Sequence, residues 1–264
     1  MGKLDGRIAL VTGAAMGNGN GGARGLAKNG AHVVLADISD KVFTAAKELQ
    51  AVGLSAEAVQ FDVRDYAAVQ KAVDEIVKKY GKIDILFNNA GVARLCLFKD
   101  MTDELRDFHF DVNIKGVWNC AKAVWPYMLK QKYGKIVNMS SVTGPMVVDV
   151  GETAYATTKA AIWGFTKALA YEGGPYNITV NMICPGYILT PMAESLARES
   201  NPEDPQKALD GIAAAVPLKR LGTIDEIGDL VAFLASDESS YITGTQVVID
   251  GGSTLPETFG AVGV

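Results

Sequence analysis

Short apolar runs alternate along the chain with longer segments whose apolar positions recur at helical spacing. The runs typical of strands are residues 7–11, 32–36, 56–61, 83–87, 135–139, 178–183 and 246–249. The segments typical of helices follow the first run as far as residue 29 and then occupy residues 38–52, 66–80, 102–131, 153–172 and 224–235. Because the strand runs are nearly continuous rather than alternating, we expect strands that are buried on both faces.

The alternation of strands and helices predicts an α/β fold class. Helical crossovers between strands are typical of a parallel sheet. We therefore expect one Rossmann-type domain over residues 1–264, a doubly wound parallel sheet with helices on both faces. Ligands in such folds bind beyond the carboxyl ends of the strands. Residues 188–217 contain no strand run, and we interpret them as a substrate-loop insertion that forms a lid over the site.

Composition narrows the classes of partner. The chain has 264 residues and a formal net charge of -5, so nucleic acid is not an expected partner. No apolar stretch reaches the roughly 20 residues of a membrane span, and residues 1–7 lack the apolar core of a signal peptide. Three cysteines without a CxxC pair indicate free thiols in a cytoplasmic protein. His32 and His109, the two histidines, have no partners at metal-ligand spacing, so we expect no metal site.

A glycine-rich turn follows the first predicted strand. Residues 12–19 read TGAAMGNG, and Gly13, Gly17 and Gly19 would let the backbone approach a pyrophosphate at the start of the next helix. A glycine trio alone also occurs at ordinary strand–helix turns. Its place at the first such turn of a long α/β chain favours a dinucleotide site.

Acidic and amide residues close the next strands. Asp37 would accept hydrogen bonds from an adenosine ribose diol and repel a 2′-phosphate, which favours NAD over NADP; the alternative is a turn aspartate. Asp62 would meet the adenine amine or serve only as a cap. Residues 88–91 (NNAG) are typical of a turn, and beside the glycine turn we interpret Asn89 as a structural clasp next to the cofactor.

Tyr155 and Lys159 carry the candidate chemistry. Four residues apart on a helix, they share one face, and an ammonium next to a phenol lowers its pKa. Such a pair could exchange a proton with an alcohol or ketone while hydride moves to or from nicotinamide, although the spacing also suits an ordinary surface pair. Ser140 and Ser141 follow the fifth strand, where a hydroxyl could hold the substrate oxygen or cap a turn. Asn113 would mark a helix irregularity that holds a water leading to Lys159, or be merely exposed.

Taken together, these motifs resemble the short-chain dehydrogenase/reductase family over essentially the whole chain. The resemblance rests on residues 12–19, 61–63, 88–91, 112–116, 140–141, 155–159, 180–181, 185–186 and 249–252. Residues 151–155, 201–205 and 253–258 extend it to UcpA-type bacterial oxidoreductases. One departure is Asn18, where the family has an aliphatic residue.

The resemblance implies a catalytic tetrad and a fuller cofactor site. The tetrad would be Asn113, Ser141, Tyr155 and Lys159, with Lys159 and Tyr155 also contacting the cofactor. The cofactor residues would be Gly13, Met16, Gly17, Asn18, Gly19, Asp37, Asp62, Val63, Asn89, Ala90, Gly91, Pro185, Gly186, Ile188 and Thr190. The family also implies a homotetramer built through residues 102–131 and 153–172.

The substrate is less defined. We expect Val147, Glu152 and Tyr187 to shape its pocket together with Ser141 and Tyr155, and the apolar stretch 145–150 favours a hydrophobic molecule. The leading hypothesis is an NAD(H)-dependent oxidoreductase that interconverts a secondary alcohol and a ketone. Hydroxysteroid or bile-acid dehydrogenase, sugar-alcohol dehydrogenase and 3-oxoacyl reductase remain open as specific activities. A catalytically silent protein that senses a dinucleotide is the alternative from another class.

Overall fold

The structure is a computed structural model that describes residues 2–256, except for the side chains of Leu196, Glu199 and Ser200. Its strands are β1 (Ile8–Thr12), β2 (His32–Asp37), β3 (Ala56–Gln60), β4 (Ile85–Asn88), β5 (Gly134–Met139), β6 (Ile178–Pro185) and β7 (Gln246–Ile249). They form one parallel sheet in the order β3-β2-β1-β4-β5-β6-β7. The order reverses between β1 and β4, which places the switch point where the sequence analysis located the glycine turn and residues 88–91.

Helices cover both faces of this sheet. They are α1 (Gly17–Lys28), α2 (Lys41–Ala51), α3 (Tyr66–Tyr80), α4 (Asp103–Phe110), α5 (Val117–Gln131), α6 (Thr153–Gly173), α7 (Pro191–Ser200), α8 (Pro205–Ala215) and α9 (Ile224–Leu234). In β1, Ala9 and Val11 join the core beneath α1, α2 and α9. Ile8 and Leu10 join the opposite core, beneath α3 and α5. Because alternate residues of one strand enter two cores, the predicted doubly wound architecture is confirmed.

The five central strands are almost entirely buried, as their apolar runs predict. The edge strands β3 and β7 are partly exposed, because each has a neighbour on one side only. β6 extends two residues beyond the predicted end, and Pro185 pairs with Ile249 of β7. Proline lacks an N–H, but the Pro185 carbonyl still accepts a hydrogen bond from the Val142 N–H at 3.0 Å.

Two predicted segments take more elaborate forms. The helix predicted over residues 102–131 is interrupted by a π-helical turn at Asp111–Gly116. Residues 188–217 contain no strand, as expected, but they form the helices α7 and α8. Thr190 and Asp204 cap these helices, and a proline follows each cap in the first helical position. This Thr-Pro and Asp-Pro pattern is a helix-start signal that the sequence analysis missed.

Candidate active site

The glycine turn between β1 and α1 forms a cradle that excludes side chains. Gly13 and Gly17 have positive φ angles of 64° and 57°. A Cβ on Gly19 would lie 2.1 Å from the Gly13 carbonyl oxygen, so only glycine fits there. Met16 precedes α1 but offers no side-chain cap, and the first turn carries no acidic residue. An anion such as pyrophosphate suits these backbone N–H groups.

Asn18 adds an unusual feature to this cradle. Its Oδ1 atom is buried and has no hydrogen-bond partner among the described residues. A buried acceptor without a partner costs about 1–3 kcal/mol. The hydroxyl and amide groups of a dinucleotide offer a donor, whereas its phosphate oxygens do not. The cradle therefore fits a dinucleotide, and the role of the Asn18 side chain remains a prediction.

A clasp joins the glycine turn to the end of β4. Asn89 Nδ2 donates to the carbonyl oxygens of Thr12 and Gly13, at 3.0 Å each. The Thr12 hydroxyl accepts from the N–H groups of Asn89 and Ala90, both at 3.1 Å. The structural role predicted for Asn89 is confirmed. Thr12 was missed as its partner, although its place at the end of β1, next to the switch point, was a usable signal.

Asp37 is held in place at the end of β2. One carboxylate oxygen accepts from the Ala15 N–H at 3.0 Å, and the other from the Ser39 N–H at 2.9 Å. The second bond is the turn role considered as the alternative. Each carboxylate oxygen can accept a further hydrogen bond. Asp37 therefore remains suited to a ribose diol, at the edge of the same cradle.

Asp62 and Val63 are engaged elsewhere. Arg64 Nη2 donates to Asp62 Oδ2 at 2.6 Å, and Arg64 Nε donates to the same carboxylate. These bonds lower the pKa of Asp62 below its ordinary value, and they compete with the expected contact to adenine. The Val63 side chain is buried against Gly116, where a Cβ would lie 2.5 Å from it. Only the backbone of Val63 is therefore available to contact a cofactor.

The π-helical turn positions Asn113. The Asn113 side chain accepts from the Val92 N–H at 2.8 Å and donates to the Val92 carbonyl at 2.9 Å. Its amide also donates to the Thr158 hydroxyl on α6 at 3.0 Å. The predicted helix irregularity is confirmed, and the exposed alternative is wrong because Asn113 is 1% exposed. Asn113 Oδ1 and Lys159 Nζ both lie within 3.4 Å of the point that a Cβ on Gly91 would occupy.

Tyr155 and Lys159 lie on α6 and face the end of β5. Lys159 Nζ donates to the Met139 carbonyl at 3.0 Å and lies 5.6 Å from the centre of the Tyr155 ring. The two serines make different contacts. Ser140 is buried and donates to the Lys159 carbonyl at 2.9 Å, whereas Ser141 lies close enough to Tyr155 to lower the pKa of its phenol. The structure thus brings Ser141, Tyr155 and Lys159 together.

Burial dominates the ionisation of this pair. It raises the pKa of Tyr155 to about 12, and the hydrogen bond from Ser141 opposes this rise. It lowers the pKa of Lys159 to about 8. The expectation that Lys159 lowers the pKa of Tyr155 is wrong for this structure, because burial disfavours the phenolate and is the largest cause of the raised pKa, and Lys159 is not among the groups that oppose the rise.

The remaining cofactor candidates lie where β6 leads into α7. A Cβ on Gly186 would lie 2.7 Å from Asp250, so this turn is tightly packed. Ile188 is buried, which leaves its backbone for a ligand. A Cβ on Gly17 would be 3.8 Å from the Thr190 side chain. The segment after Pro185 therefore approaches the glycine turn across the site.

The substrate candidates lie in two segments, the loop between β5 and α6 and the turn after β6. Val147 and Tyr187 are 43% and 49% exposed. Glu152 Oε2 accepts from the Asp149 N–H at 3.1 Å. The loop that carries Val147 and Glu152 is joined to the segment after β4 by the Cys96 N–H, which donates to the Gly151 carbonyl at 2.9 Å.

Other chemistries find no support in the described part of the chain. Over residues 2–256, no cluster of histidine, cysteine or acidic side chains could hold a metal ion, and no helix there is long and apolar enough to cross a membrane. His109 is buried and structural, since its Nε2 accepts from the Arg94 N–H at 3.1 Å. Burial raises the pKa of Cys184 to about 11, which keeps the thiol protonated.

Comparisons with known proteins agree with this geometry. A family model described as enoyl-(acyl carrier protein) reductase matches residues 13–254. The chain is 60% identical over 264 residues to the oxidoreductase UcpA of Salmonella typhimurium, and the match covers 100% of both chains. It is 41% identical over 254 residues to the 3-oxoacyl-[acyl-carrier-protein] reductase FabG of Thermotoga maritima, covering 96% of this chain and 100% of that protein.

A solved structure supports the same relationship. A variant of the actinorhodin polyketide ketoreductase, crystallised with NADPH, superimposes with a TM-score of 0.90 at 34% sequence identity. The match covers 96% of this chain and 99% of that one. The resemblance inferred from the sequence motifs is thereby confirmed.

Proposed function

Because the chain belongs to the short-chain dehydrogenase/reductase family of oxidoreductases, we propose that it interconverts a secondary alcohol and a ketone with NAD(H). One observation carries the proposal. Ser141 lies close enough to Tyr155 to lower the pKa of its phenol, and Lys159 Nζ lies 5.6 Å from the Tyr155 ring centre, at the carboxyl end of β5 and on the same edge of the sheet as the glycine cradle. The candidate proton-transfer residues and the candidate dinucleotide cradle thus lie at the same edge of the sheet, which supports the proposal.

The proposed division of labour follows from the contacts. Nicotinamide, when bound, exchanges a hydride with the substrate carbon. Ser141 holds the substrate oxygen, and Tyr155 exchanges the proton of that oxygen. Lys159 supplies a positive charge beneath the phenol and a hydrogen bond to a ribose. Asn113 fixes the π-helical turn against Val92 and Thr158, and it lines the route by which a water would link Lys159 to solvent.

The high pKa of Tyr155 gives the two directions different pH dependences. Ketone reduction needs a protonated phenol, which Tyr155 supplies throughout the neutral range. Alcohol oxidation needs the phenolate, which becomes more populated as pH rises toward the pKa. On this proposal, Tyr155 at neutral pH is in the protonated form that ketone reduction requires.

Asp37 underlies the proposed preference for NAD. Its carboxylate is fixed by two backbone N–H groups and would repel a 2′-phosphate. The NADPH-bound relative shows that the fold also accepts the phosphorylated cofactor, so the preference rests on this residue.

A spectrophotometric comparison of NADH and NADPH tests the preference and the activity together. The panel contains small ketones, steroids, bile acids, sugars and acyl ketones. We expect NADH to be at least tenfold better in kcat/KM, and Asp37→Ser to remove most of that difference. Asp40→Ser, which alters an exposed neighbour, is the matched control. A strong NADPH preference in the unmodified enzyme would overturn the role of Asp37.

A 3-oxoacyl reductase is the second candidate. The similarity to a FabG protein favours it, whereas Asp37 favours NADH. Acetoacetyl thioesters in the panel separate the two candidates. Only 3-oxoacyl reductase activity predicts that these thioesters have a higher kcat/KM than every other ketone tested. A silent dinucleotide sensor is disfavoured because all four predicted tetrad residues are present.

Assembly and location complete the proposal. Trp118 on α5 is 56% exposed and packs against Phe165 of α6, which supports a homotetramer formed through these helices. The free cysteines support a cytoplasmic location. We also propose that residues 188–217, as α7 and α8, act as the lid over the substrate.

A further inference from the structure

The substrate side of the cleft has an acidic wall. Glu152 immediately precedes α6, and its carbonyl accepts the first helical hydrogen bond from the Ala156 N–H at 2.7 Å. Tyr155 follows three residues later, in the first turn of this helix. Asp149 stands against Glu152 and donates its N–H to Oε2 at 3.1 Å. Glu152 is therefore near enough to Tyr155 to act on the phenol, and Asp149 adjoins Glu152 through its backbone N–H.

Neither carboxylate is neutralised by a basic side chain within the part of the chain that the structure describes. Arg94 lies over the Phe108 ring at 4.5 Å. Lys159 is buried and directed at the Met139 carbonyl. Asp62, by contrast, is paired with the Arg64 guanidinium, and Asp37 accepts from two backbone N–H groups.

The charge of this wall reaches the reacting groups. Glu152 contributes to the raised pKa of Tyr155, and Asp149 and Glu152 both contribute to the raised pKa of Tyr187. Tyr187 is half exposed and lies in the turn after β6. A substrate placed between Tyr155 and Tyr187 would therefore lie in the field of both carboxylates. One Glu152 oxygen is occupied by the Asp149 N–H, and the other retains its capacity to accept.

We propose that Glu152, supported by Asp149, determines substrate specificity by selecting an uncharged alcohol or ketone with a hydroxyl group next to the reacting carbon. A carboxylate only accepts hydrogen bonds, so it favours a hydroxyl donor and repels a second carboxylate. Substrates with a carboxylate next to the reacting carbon are rejected by the same residue. This inference rests on the proposed alcohol–ketone chemistry and names its substrate class.

Three compounds on one ring isolate the effect. Cyclohexanol, trans-cyclohexane-1,2-diol and trans-2-hydroxycyclohexane-1-carboxylate differ only in the neighbouring group. Their Kd values for the enzyme–NADH complex are measured by calorimetry, and their kcat/KM values with NAD+ by absorbance. We expect the diol to bind at least about tenfold more tightly than the carboxylate. Glu152→Gln keeps an oxygen acceptor and removes the charge. It should therefore lower the ratio of the carboxylate Kd to the diol Kd by about tenfold.

Glu48→Gln is the matched control, because it removes one negative charge from an exposed position on α2. Its ratio should equal that of the unmodified enzyme. The inference is overturned if the carboxylate binds as tightly as the diol, if the diol does not bind, or if Glu152→Gln leaves the ratio within twofold. Loss of NADH binding itself would instead refute the proposed function, which keeps the two failures distinct.

Discussion

Replacing Lys159 with methionine should make the protein more stable while removing its activity. Burial lowers the pKa of Lys159 from 10.5 to about 8. At about 1.4 kcal/mol for each tenfold step in proton affinity, the folded state at neutral pH carries a cost of about 3 kcal/mol for keeping this charge. Methionine has a similar length and no charge, so Lys159→Met removes that cost.

Part of the gain is offset by the hydrogen bond that is lost. Lys159 Nζ donates to the Met139 carbonyl at 3.0 Å, and leaving that acceptor unpaired costs about 1 kcal/mol. The expected net gain is therefore about 2 kcal/mol, or roughly 5 °C in Tm for a chain of this size. A functional residue that destabilises its own fold is typical of active sites.

The pH dependence makes this prediction specific. Below pH 8, Lys159 is charged in both the folded and unfolded states, and the cost is complete. Between about 8 and 10.5 the folded state releases its proton first, so the unmodified protein gains stability as pH rises. The advantage of Lys159→Met should therefore be full at pH 7 and small near pH 10.

Urea unfolding of both proteins from pH 7 to 10, at one protein concentration, measures this difference. Lys47→Met, at an exposed position on α2, should change stability by less than about 0.5 kcal/mol at every pH. A Lys159→Met protein that is less stable at pH 7, or whose advantage does not change with pH, would refute the reasoning. Lys159 would then be a stabilising hydrogen-bond donor rather than a buried charge held for function.

Three further changes test other parts of the structure. Gly19→Ala places a Cβ against the Gly13 carbonyl, so the Kd for NADH, followed by its fluorescence, should rise at least tenfold; an unchanged Kd would contradict the cradle. Thr12→Val leaves two N–H groups of the clasp unpaired and should cost about 2 kcal/mol in urea unfolding. Tyr133→Phe removes a hydrogen bond to Asp237 and should cost about 1 kcal/mol at pH 7. Because that bond lowers the pKa of Asp237, the Tyr133→Phe loss should shrink below pH 4, and a constant loss would argue against the bond.

The elements and residues that depend on local pattern were predictable from the sequence. The buried strands follow from continuous apolar runs, and β7 was predicted with the bounds it has. The pairing of Tyr155 with Lys159 follows from a four-residue spacing on a helix. Gly19 follows from the turn that it occupies, because a tight strand–helix connection has no room for a side chain.

Features that depend on contacts between distant segments were not predictable in the same way. The Asn113 side chain pairs with Val92 and Thr158, which lie 21 and 45 residues away, and no local pattern reports such a match. The direction of the Tyr155 pKa was wrong because the sequence shows the neighbouring lysine but not the burial of both groups. The helices α7 and α8 were missed for a different reason, since their capping residues were visible and went unused.

Substitution of Tyr155 by phenylalanine is the most direct test of the proposed mechanism. The enzyme, Tyr155→Phe and the control Tyr171→Phe, which changes an exposed residue of the same helix, are compared for NADH binding and for turnover of the best ketone in the panel. We predict that Tyr155→Phe keeps the Kd for NADH within about threefold and lowers kcat at least about a hundredfold, while Tyr171→Phe changes neither. Turnover by Tyr155→Phe within a few-fold of the unmodified enzyme would contradict the role of Tyr155 in proton transfer.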